Sequence, residues 1–387
     1  MIKVMAISLL PPRKSGAAIT SADLLINLGK QVALTVITEA ITSELDNDYF
    51  RELDLKFDTV RLKQVIPRVT NLLDGSATPF NNEHFESDIK SLYQLKRPDV
   101  ILVMHEIFLV YCDVISWHHT PIVCLCHGVL TSVLLQRHSD ILKERLEKGL
   151  KSCSSVLTVS EDLAQIVFSR CNINVKPISI GMNSEIINYV RSQVSINSNS
   201  SINERNKIVL HVSNLQPNKN IILFLEVASL MKDNVSMAFW IIGDGVQEQT
   251  ARQFVKQRNL NNVLFFGWKK LNEVYSLMIQ ATTLLVTSNR EGLSRVIREA
   301  QLFGCVPIAP RDEVFIESII DGENGLLYEN RSAKSIAALL KNDKKIFQIK
   351  NNLNTKSELL DKRYDIQIGL NSLVEAINES LTRGKIK

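Results

Sequence analysis

The sequence has no window of about 20 uncharged apolar residues, the length that a membrane-spanning helix needs. Residues 2–10 read as a buried strand and lack the charged start of a signal peptide, so no targeting segment is predicted. The formal net charge is only +4, too small to indicate nucleic acid as a partner. We therefore expect a cytoplasmic protein that binds no nucleic acid.

Metal and cofactor motifs are also missing. The six cysteines include no repeated C-x-x-C spacing, and Cys124 and Cys126 lie inside an apolar strand pattern, so reduced, buried thiols are expected. No G-x-G-x-x-G motif follows the first strand, which argues against a dinucleotide-dependent oxidoreductase. No aspartate pair suited to a divalent metal is evident, so we expect neither a metal nor a cofactor.

The sequence does contain a repeated alternation of strand and helix patterns, in a chain of 387 residues that is long enough for two domains. Such alternation predicts an α/β fold with parallel sheets covered on both faces. Residues 191–206 are rich in Ser and Asn and are predicted to be a linker. Residues 1–190 and 207–365 are then two doubly wound domains, and 366–387 form a C-terminal helix that packs back on the first.

Residues 284–310 are the stretch around which the second domain is predicted to be organised. The pattern is strand, loop, helix, glycine and strand, and backbone N–H groups at such a helix N-terminus attract phosphate. Glu291 lies in the loop. Glu299 borders the apolar face of the helix, where a carboxylate usually needs a partner.

Further candidates lie at the predicted carboxyl ends of strands. Lys219 follows the first strand of the second domain and could meet a diphosphate, although a solvated loop lysine is the more common interpretation. His127 ends a buried strand and could donate to a hydroxyl or a phosphate. A hydrogen-bonded core histidine is an equal alternative, and the same ambiguity applies to His105.

Three glycines and one basic helix complete the candidates. Gly16, Gly243 and Gly245 lie in turns where backbone could approach a ligand, and ordinary turn geometry explains them equally well. Residues 139–151 predict a basic amphipathic helix. A surface helix packed on the sheet is the favoured interpretation, and peripheral contact with an anionic membrane surface is the alternative.

The order of these motifs resembles family 4 of the retaining glycosyltransferases, which have the GT-B fold. The run 288–300, with its two glutamates, is similar to the family signature. Residues 127–128, 156–161, 180–183 and 321–326 resemble other family motifs and occur in the family's order. The resemblance implies two doubly wound Rossmann-like domains that face each other across a cleft.

The resemblance also implies a function. A sugar would pass from a UDP- or GDP-sugar to a glycan or lipid-linked acceptor, with retention and without a metal, in surface polysaccharide synthesis. Glu291 would bind the sugar, Glu299 the ribose and Lys219 the diphosphate. The catalytic residues implied are His127, Glu291 and Lys219. The donor-binding residues implied are Gly16, Asn214, Lys219, Gly243, Gly245, Glu291, Gly292, Leu293, Ser294, Arg295 and Glu299.

Two departures from the family pattern are present. Asn214 stands where the family usually has an arginine, so positive charge would have to come from Lys219 with Arg295 or Arg290. Gly16-Ala17 replaces a pair of glycines. A nucleotide-sugar 2-epimerase and a degenerate nucleotide-sugar-binding subunit of a transferase complex are the alternatives. Residues 68–85, on the expected acceptor side, carry no motif that identifies the acceptor.

Overall fold

A computed structural model of the chain describes residues 1–10, 15–39, 58–63, 66, 83–111, 119–136, 141–197 and 207–384. Backbone contacts divide the chain into two units, Met1–Gly181 with Ile366–Lys387, and Met182–Asp365. Each unit contains one parallel sheet with helices between its strands. The α/β class predicted from the alternating pattern is therefore confirmed.

The first unit contains a seven-stranded sheet. Its strands are β1 (Lys3–Ile7), β2 (Ala33–Thr38), β3 (Asp58–Arg61), β4 (Val100–Val103), β5 (Ile122–Cys126), β6 (Ser155–Thr158) and β7 (Val175–Pro177). Its helices before the second unit are α1 (Gly16–Leu28), α2 (Glu83–Lys96), α3 (Ile107–Tyr111), α4 (Val129–Gln136), α5 (Ile141–Ser152) and α6 (Glu161–Cys171). The strand order is β3-β2-β1-β4-β5-β6-β7. Every residue of β4 and β5 is buried, as expected for strands covered on both faces.

Two local features of the first unit bear on the sequence predictions. Helix α1 begins after Ser15, whose hydroxyl accepts the N–H of Ala18 at 3.1 Å, the usual way to cap a helix start. Residues 11–14 of the predicted first loop and residues 139–140 of the predicted basic helix lie outside the described residues. Helix α5 buries Leu146 and Leu150, as a surface helix packed on its unit does, and membrane contact stays a prediction.

The second unit contains a six-stranded sheet. Its strands are β8 (Lys207–Val212), β9 (Met237–Ile242), β10 (Val263–Gly267), β11 (Thr283–Leu285), β12 (Val306–Pro310) and β13 (Leu326–Tyr328). Its helices are α7 (Ser184–Asn197), α8 (Ile221–Leu230), α9 (Glu248–Arg258), α10 (Leu271–Gln280), α11 (Arg295–Leu302), α12 (Glu313–Ile316), α13 (Ala333–Leu340), α14 (Asp343–Thr355) and α15 (Ser357–Arg363). The strand order is β10-β9-β8-β11-β12-β13, which places β8 beside β11.

The stretch singled out in the sequence folds as β11, a loop, α11 and β12. Gly304 follows the helix with a φ of +67°, a left-handed conformation that glycine adopts without strain. The predicted linker is partly helical, because α7 includes residues 191–197, and residues 198–206 lie outside the described part of the chain. The units divide at Gly181 instead of at residue 190.

The cysteines that the structure describes are not paired in disulfides. Cys124 and Cys126 are buried, and the five described cysteines are all free thiols. No described helix combines the length and the apolarity needed to cross a membrane.

The C-terminal helix α16 (Ile366–Gly384) belongs to the first unit, where it packs on α1 and on β4, β5 and β6. Gly369 allows the helix to approach the chain that follows β7. A Cβ at this position would lie 2.3 Å from the Ser179 carbonyl oxygen, a distance that no methyl group tolerates. The missing side chain therefore sets how closely α16 can pack.

We predict that Gly369→Ala destabilises the protein. Alanine favours a helix by about 1 kcal/mol over glycine, but the clash is with backbone and cannot be relieved by a side-chain rotation. The expected net loss is about 1–3 kcal/mol in the free energy of unfolding, measured by urea denaturation. Asn371→Ala, on the exposed face of the same helix, is the control. An unchanged midpoint for Gly369→Ala would show that the Ser179 segment can move away.

Candidate functional site

A lysine and a glutamate meet where two neighbouring strands end. Lys219 closes a short 3-10 turn, Pro217–Lys219, after β8, and Glu291 lies in the loop after β11. Because β8 and β11 are parallel neighbours, their carboxyl ends bring these two loops together. The Lys219 ammonium donates to Oε1 of Glu291, and the Ser288 hydroxyl donates to the same oxygen at 2.7 Å.

Hydrogen bonds that involve the backbone hold the two loops in this arrangement. The Thr287 hydroxyl donates to the Lys219 carbonyl at 2.9 Å, and the Asn289 N–H donates to the Asn218 carbonyl at 2.8 Å. Thr287 is fully buried. The position of the Lys219–Glu291 pair is therefore fixed by the framework and does not depend on the ion pair alone.

Glu299 has the partners that its place on the apolar face requires. It is 6% exposed and lies on α11, one helical turn after Arg295. The Arg295 Nε donates to Glu299 Oε1 at 2.8 Å, and the Tyr275 hydroxyl, from α10, donates to the same oxygen at 3.1 Å. The prediction that this carboxylate is paired is confirmed.

Glu291 and Glu299 share one pattern of hydrogen bonding. In each, Oε1 accepts two donors from the protein, and Oε2 accepts none within the described part of the chain. An ionised carboxylate only accepts hydrogen bonds, with capacity for about four. Glu291 and Glu299 are thus oriented by the protein and can still accept from hydroxyl groups of a ligand.

The N-terminus of α11 lies between the two glutamates in the chain. Ser294, directly before the helix, is buried, makes no side-chain cap, and has a hydroxyl without a partner within the described residues. Gly292 is buried and Leu293 is half-buried. Arg295 is the first residue of the helix, where the helix dipole disfavours a cation. The buried Glu299 carboxylate offsets this cost.

Close backbone packing accounts for Gly243 and Gly245. A Cβ on Gly243, which has a φ of +122°, would lie 1.8 Å from the Ser213 carbonyl oxygen, and one on Gly245 would lie 2.8 Å from that of Leu215. Both positions therefore need glycine so that the turn can pack against the loop after β8. Asn214 lies half-buried in that loop. Donor contacts by these residues stay predictions.

His127 follows β5 in the first unit and is held by a buried glutamate. Glu106 is 0% exposed, and its two oxygens accept the backbone N–H groups of His127 at 2.7 Å and of Gly128 at 3.0 Å. The His127 ring stacks on His105, with 5.4 Å between ring centroids. Its Nε2 has no hydrogen-bond partner among the described residues, and the other ring nitrogen faces the Met104 carbonyl.

Burial, neighbouring charges and backbone N–H groups together set the protonation states at this position. Burial lowers the pKa of His127 to about 4, so the ring is neutral at pH 7. Burial raises the pKa of Glu106, but charge on His105 and His127 and the His127 backbone N–H lower it, and the net direction is below the ordinary value. Because His127 is neutral at pH 7, charge on His105 and then the His127 backbone N–H are the lowering causes that remain for the pKa of Glu106 there.

The structure groups some predicted site residues and separates others by unit. Lys219 contacts Glu291, and Arg295 contacts Glu299, all within the second unit. Gly16 belongs to the first unit, like His127, and a Cβ placed on it would have no atom within 4 Å among the described residues beyond its chain neighbours and its own helix backbone.

Sequence reasoning did not identify three residues that orient the candidate side chains, namely Ser288, Tyr275 and Glu106. Ser288 lies three positions before Glu291 in the same loop, a local signal that could have been read. Tyr275 is distant in sequence from Glu299, and its pattern is that of an ordinary apolar helix face. Glu106 directly follows His105 after a buried strand, so its position carried the same signal as that of His105.

Comparison with known proteins identifies the family. The model described as Glycosyltransferase Family 4 matches residues 14–182, and the model described as Glycosyl transferases group 1 matches residues 193–353. The chain belongs to the family 4 glycosyltransferases. The predicted family is therefore confirmed on both halves of the chain.

Two curated proteins are similar in sequence to this family 4 glycosyltransferase. The N-acetyl-alpha-D-glucosaminyl L-malate synthase of Bacillus anthracis is 26% identical over 219 residues, which are 56% of each chain. The poly(ribitol-phosphate) alpha-N-acetylglucosaminyltransferase of Staphylococcus aureus is 33% identical over 159 residues, 38% of this chain and 29% of the relative. The chain therefore spans about half or less of the length of these relatives.

A similar solved structure is that of the Anabaena protein HepE in complex with UDP and glucose. It superposes with a TM-score of 0.74 at 17% sequence identity and covers 98% of this chain and 100% of that one. A likeness at this level of identity shows the fold, which is GT-B. The predicted fold class is confirmed.

Among the described residues, no group of three or more His, Cys, Asp or Glu side chains is placed to hold a metal ion. Metal independence of the reaction stays a prediction.

We predict that the Lys219–Glu291 contact stabilises the second unit. Lys219→Met leaves a mostly buried carboxylate with Ser288 as its remaining donor. The free energy of unfolding should fall by about 1–2 kcal/mol, below the cost for a fully buried pair because both side chains are partly exposed. Urea denaturation measures this, with the exposed Lys232→Met as control.

The double variant Lys219→Met/Glu291→Gln gives the second arm of this test. It removes the uncompensated charge, so it should lose less stability than the sum of the two single variants. Strictly additive losses would contradict a direct interaction between the two side chains.

Proposed function

We propose that this family 4 glycosyltransferase transfers a sugar from a UDP-sugar to a hydroxyl of a glycan or lipid-linked acceptor, with retention at the anomeric carbon and without a metal ion. The observation that carries the proposal concerns Glu291 and Glu299, which lie on either side of the α11 N-terminus in the chain. Each carboxylate accepts hydrogen bonds from the described residues at Oε1 only. Hydroxyl groups fit the open carboxylate oxygens, and phosphate fits the helix N-terminus.

Within this proposal each side chain has a distinct role. Glu291 Oε2 accepts from hydroxyls of the donor sugar, and Glu299 Oε2 accepts from the ribose. The diphosphate binds at the N-terminus of α11, with Lys219 and Arg295 as the nearby cations. Arg295 supplies the positive charge that Asn214 lacks.

The proposed reaction breaks the bond between the anomeric carbon and the diphosphate oxygen, and the nucleoside diphosphate leaves with the bonding electrons. The acceptor hydroxyl forms the new bond on the same face, and its proton passes to the departing diphosphate oxygen. Negative charge grows on the diphosphate in the transition state, so a preplaced lysine and backbone N–H groups stabilise that state more than the bound substrate.

The names of the similar proteins support uridine and an alpha product. HepE was crystallised with UDP and glucose, and both curated relatives are named for alpha-N-acetylglucosaminyl products. An alpha product from an alpha-linked nucleotide sugar corresponds to retention. UDP-N-acetylglucosamine and UDP-glucose are therefore the first donors to try. The poly(ribitol-phosphate) in the name of one relative supports a polymer with free hydroxyl groups as the acceptor class.

Turnover tests the proposal directly. We expect the full chain to release UDP from one of these donors in the presence of EDTA, and Glu291→Gln to lower kcat by about 100-fold, because the sugar loses a charged acceptor. Glu226→Gln, exposed on α8, is the matched control. Full activity in Glu291→Gln would remove this residue from the site, and strict dependence on Mg²⁺ or Mn²⁺ would overturn the metal-free reaction.

The same assay separates the alternative functions. A nucleotide-sugar 2-epimerase would yield an isomerised nucleotide sugar without a glycosylated acceptor. A degenerate binding subunit would bind UDP-sugar without releasing UDP. Either outcome would replace the proposed transfer.

We predict that Tyr275→Phe weakens UDP binding by about fivefold. The substitution removes one donor from Glu299 Oε1 and loosens the orientation of Oε2, at a cost of about 1 kcal/mol. Calorimetry measures the Kd. Tyr93→Phe is the control, because the Tyr93 hydroxyl contacts Thr120 in the first unit. An unchanged Kd for Tyr275→Phe would show that this hydroxyl does not orient the ribose-binding carboxylate.

A further inference from the structure

The geometry points to Glu106 as a positioning residue that fixes His127 for contact with a sugar hydroxyl. This inference rests on the proposed function and on the predicted catalytic role of His127. It assigns a role to a residue that the family motifs quoted above do not include. Glu106 lies between β4 and α3, directly after His105, and is completely buried.

A carboxylate suits this position because it offers two acceptors to two donors. Oε2 accepts the His127 N–H and Oε1 accepts the Gly128 N–H, so one side chain holds both consecutive peptide groups. Gly128 has a φ of +113°, which only glycine adopts without strain, and α4 begins directly after it. The negative charge also lies near the N-terminus of α4, where the helix dipole favours it.

An amide could not replace the carboxylate without loss. Glutamine has one acceptor oxygen, and its NH₂ group would face the second backbone N–H. One buried donor would then lose its partner, and the turn would shift to relieve the contact. Glu106→Gln therefore changes the hydrogen bonding with almost no change in volume.

His105 bears on both the ring of His127 and the charge of Glu106. Its Nδ1 accepts the Ile107 N–H at 3.2 Å and lies 3.4 Å from Glu106 Oε2, and charge on His105 lowers the pKa of Glu106. The two imidazole rings stack with 22° between their planes. Stacking fixes the plane of the His127 ring, and Glu106 fixes its main chain.

The contacts of Glu106 and His105 together fix the direction in which Nε2 of the His127 ring points. With the Met104 carbonyl at the other nitrogen, the neutral His127 ring carries its proton there, and Nε2 is an acceptor without a partner within the described residues. Nε2 of His127 is thus set to accept from a sugar hydroxyl. A rotation of the turn would move this atom away from the hydroxyl, and a misplacement of about 1 Å costs about 100-fold in rate.

The test is a double-mutant cycle on transfer. Glu106→Gln should lower kcat by about 10- to 100-fold and leave the Kd for UDP within twofold, because the nucleotide binds in the second unit. In the His127→Ala background the same substitution should have no further effect on kcat, because the residue through which Glu106 acts is gone. Multiplicative effects in the double variant would overturn the inference and leave Glu106 with a purely structural role.

Controls separate positioning from misfolding. Glu144→Gln, on the exposed surface of α5, should behave as wild type. Glu106→Asp keeps the charge but shortens the side chain, so it should retain more activity than Glu106→Gln. If Glu106→Gln does not fold, Glu106→Asp carries the same cycle, and multiplicative effects there would overturn the inference equally.

Failure of the proposed function gives a different result. If the wild-type chain releases no nucleotide from any UDP- or GDP-sugar, the proposed transfer fails and the catalytic cycle has no signal. Hydrogen exchange then tests the positioning alone. Glu106→Gln should speed exchange of the His127 and Gly128 amides by at least about tenfold relative to wild type, and unchanged exchange would overturn the role of Glu106.

Discussion

A mostly buried carboxylate needs a hydrogen-bond partner, and one that binds a ligand must also keep an oxygen open. Two glutamates of the second unit meet both conditions, because each uses only one of its two oxygens for contacts within the described part of the protein. Glu291 and Glu299 each saturate one oxygen with a cation and a hydroxyl, from Lys219 with Ser288 and from Arg295 with Tyr275. A carboxylate with no partner would be costly to bury, and one with both oxygens saturated could not bind a ligand. Occupying one oxygen fixes the direction of the other.

This arrangement depends on the order of the strands. Strands β8 and β11 are neighbours in the sheet although β9 and β10 separate them in the chain, so the crossover brings Lys219 and Glu291 to one edge. Ligands bind at this kind of position in parallel α/β sheets because loops from adjacent strands diverge there. Hydrogen bonds from the Thr287 hydroxyl and the Asn289 N–H to backbone carbonyls then hold the two loops together, so the protein itself fixes the position of the Lys219–Glu291 pair.

The sequence was sufficient for the features that arise from local pattern. Short apolar runs predicted the strands, Gly304 predicted the end of α11, and the place of Glu299 on a helical wheel predicted that it would be paired. The identity of its partners could not be predicted, because Tyr275 reaches Glu299 only through the packing of α10 against α11. Gly243 illustrates the opposite limit, since close approach to Ser213 explains this glycine without any ligand.

The proposed compensation for Asn214 by Arg295 depends on how a cation is held at a helix N-terminus. A cation on the first residue of a helix opposes the dipole, and burial raises the cost further. Glu299, one turn along, reduces that cost, so the guanidinium can remain at the N-terminus of α11 while Asn214 contributes no charge. A diphosphate at this N-terminus would add a second anion beside Arg295. The charge lost at residue 214 would then be restored from α11, the element that also carries Glu299.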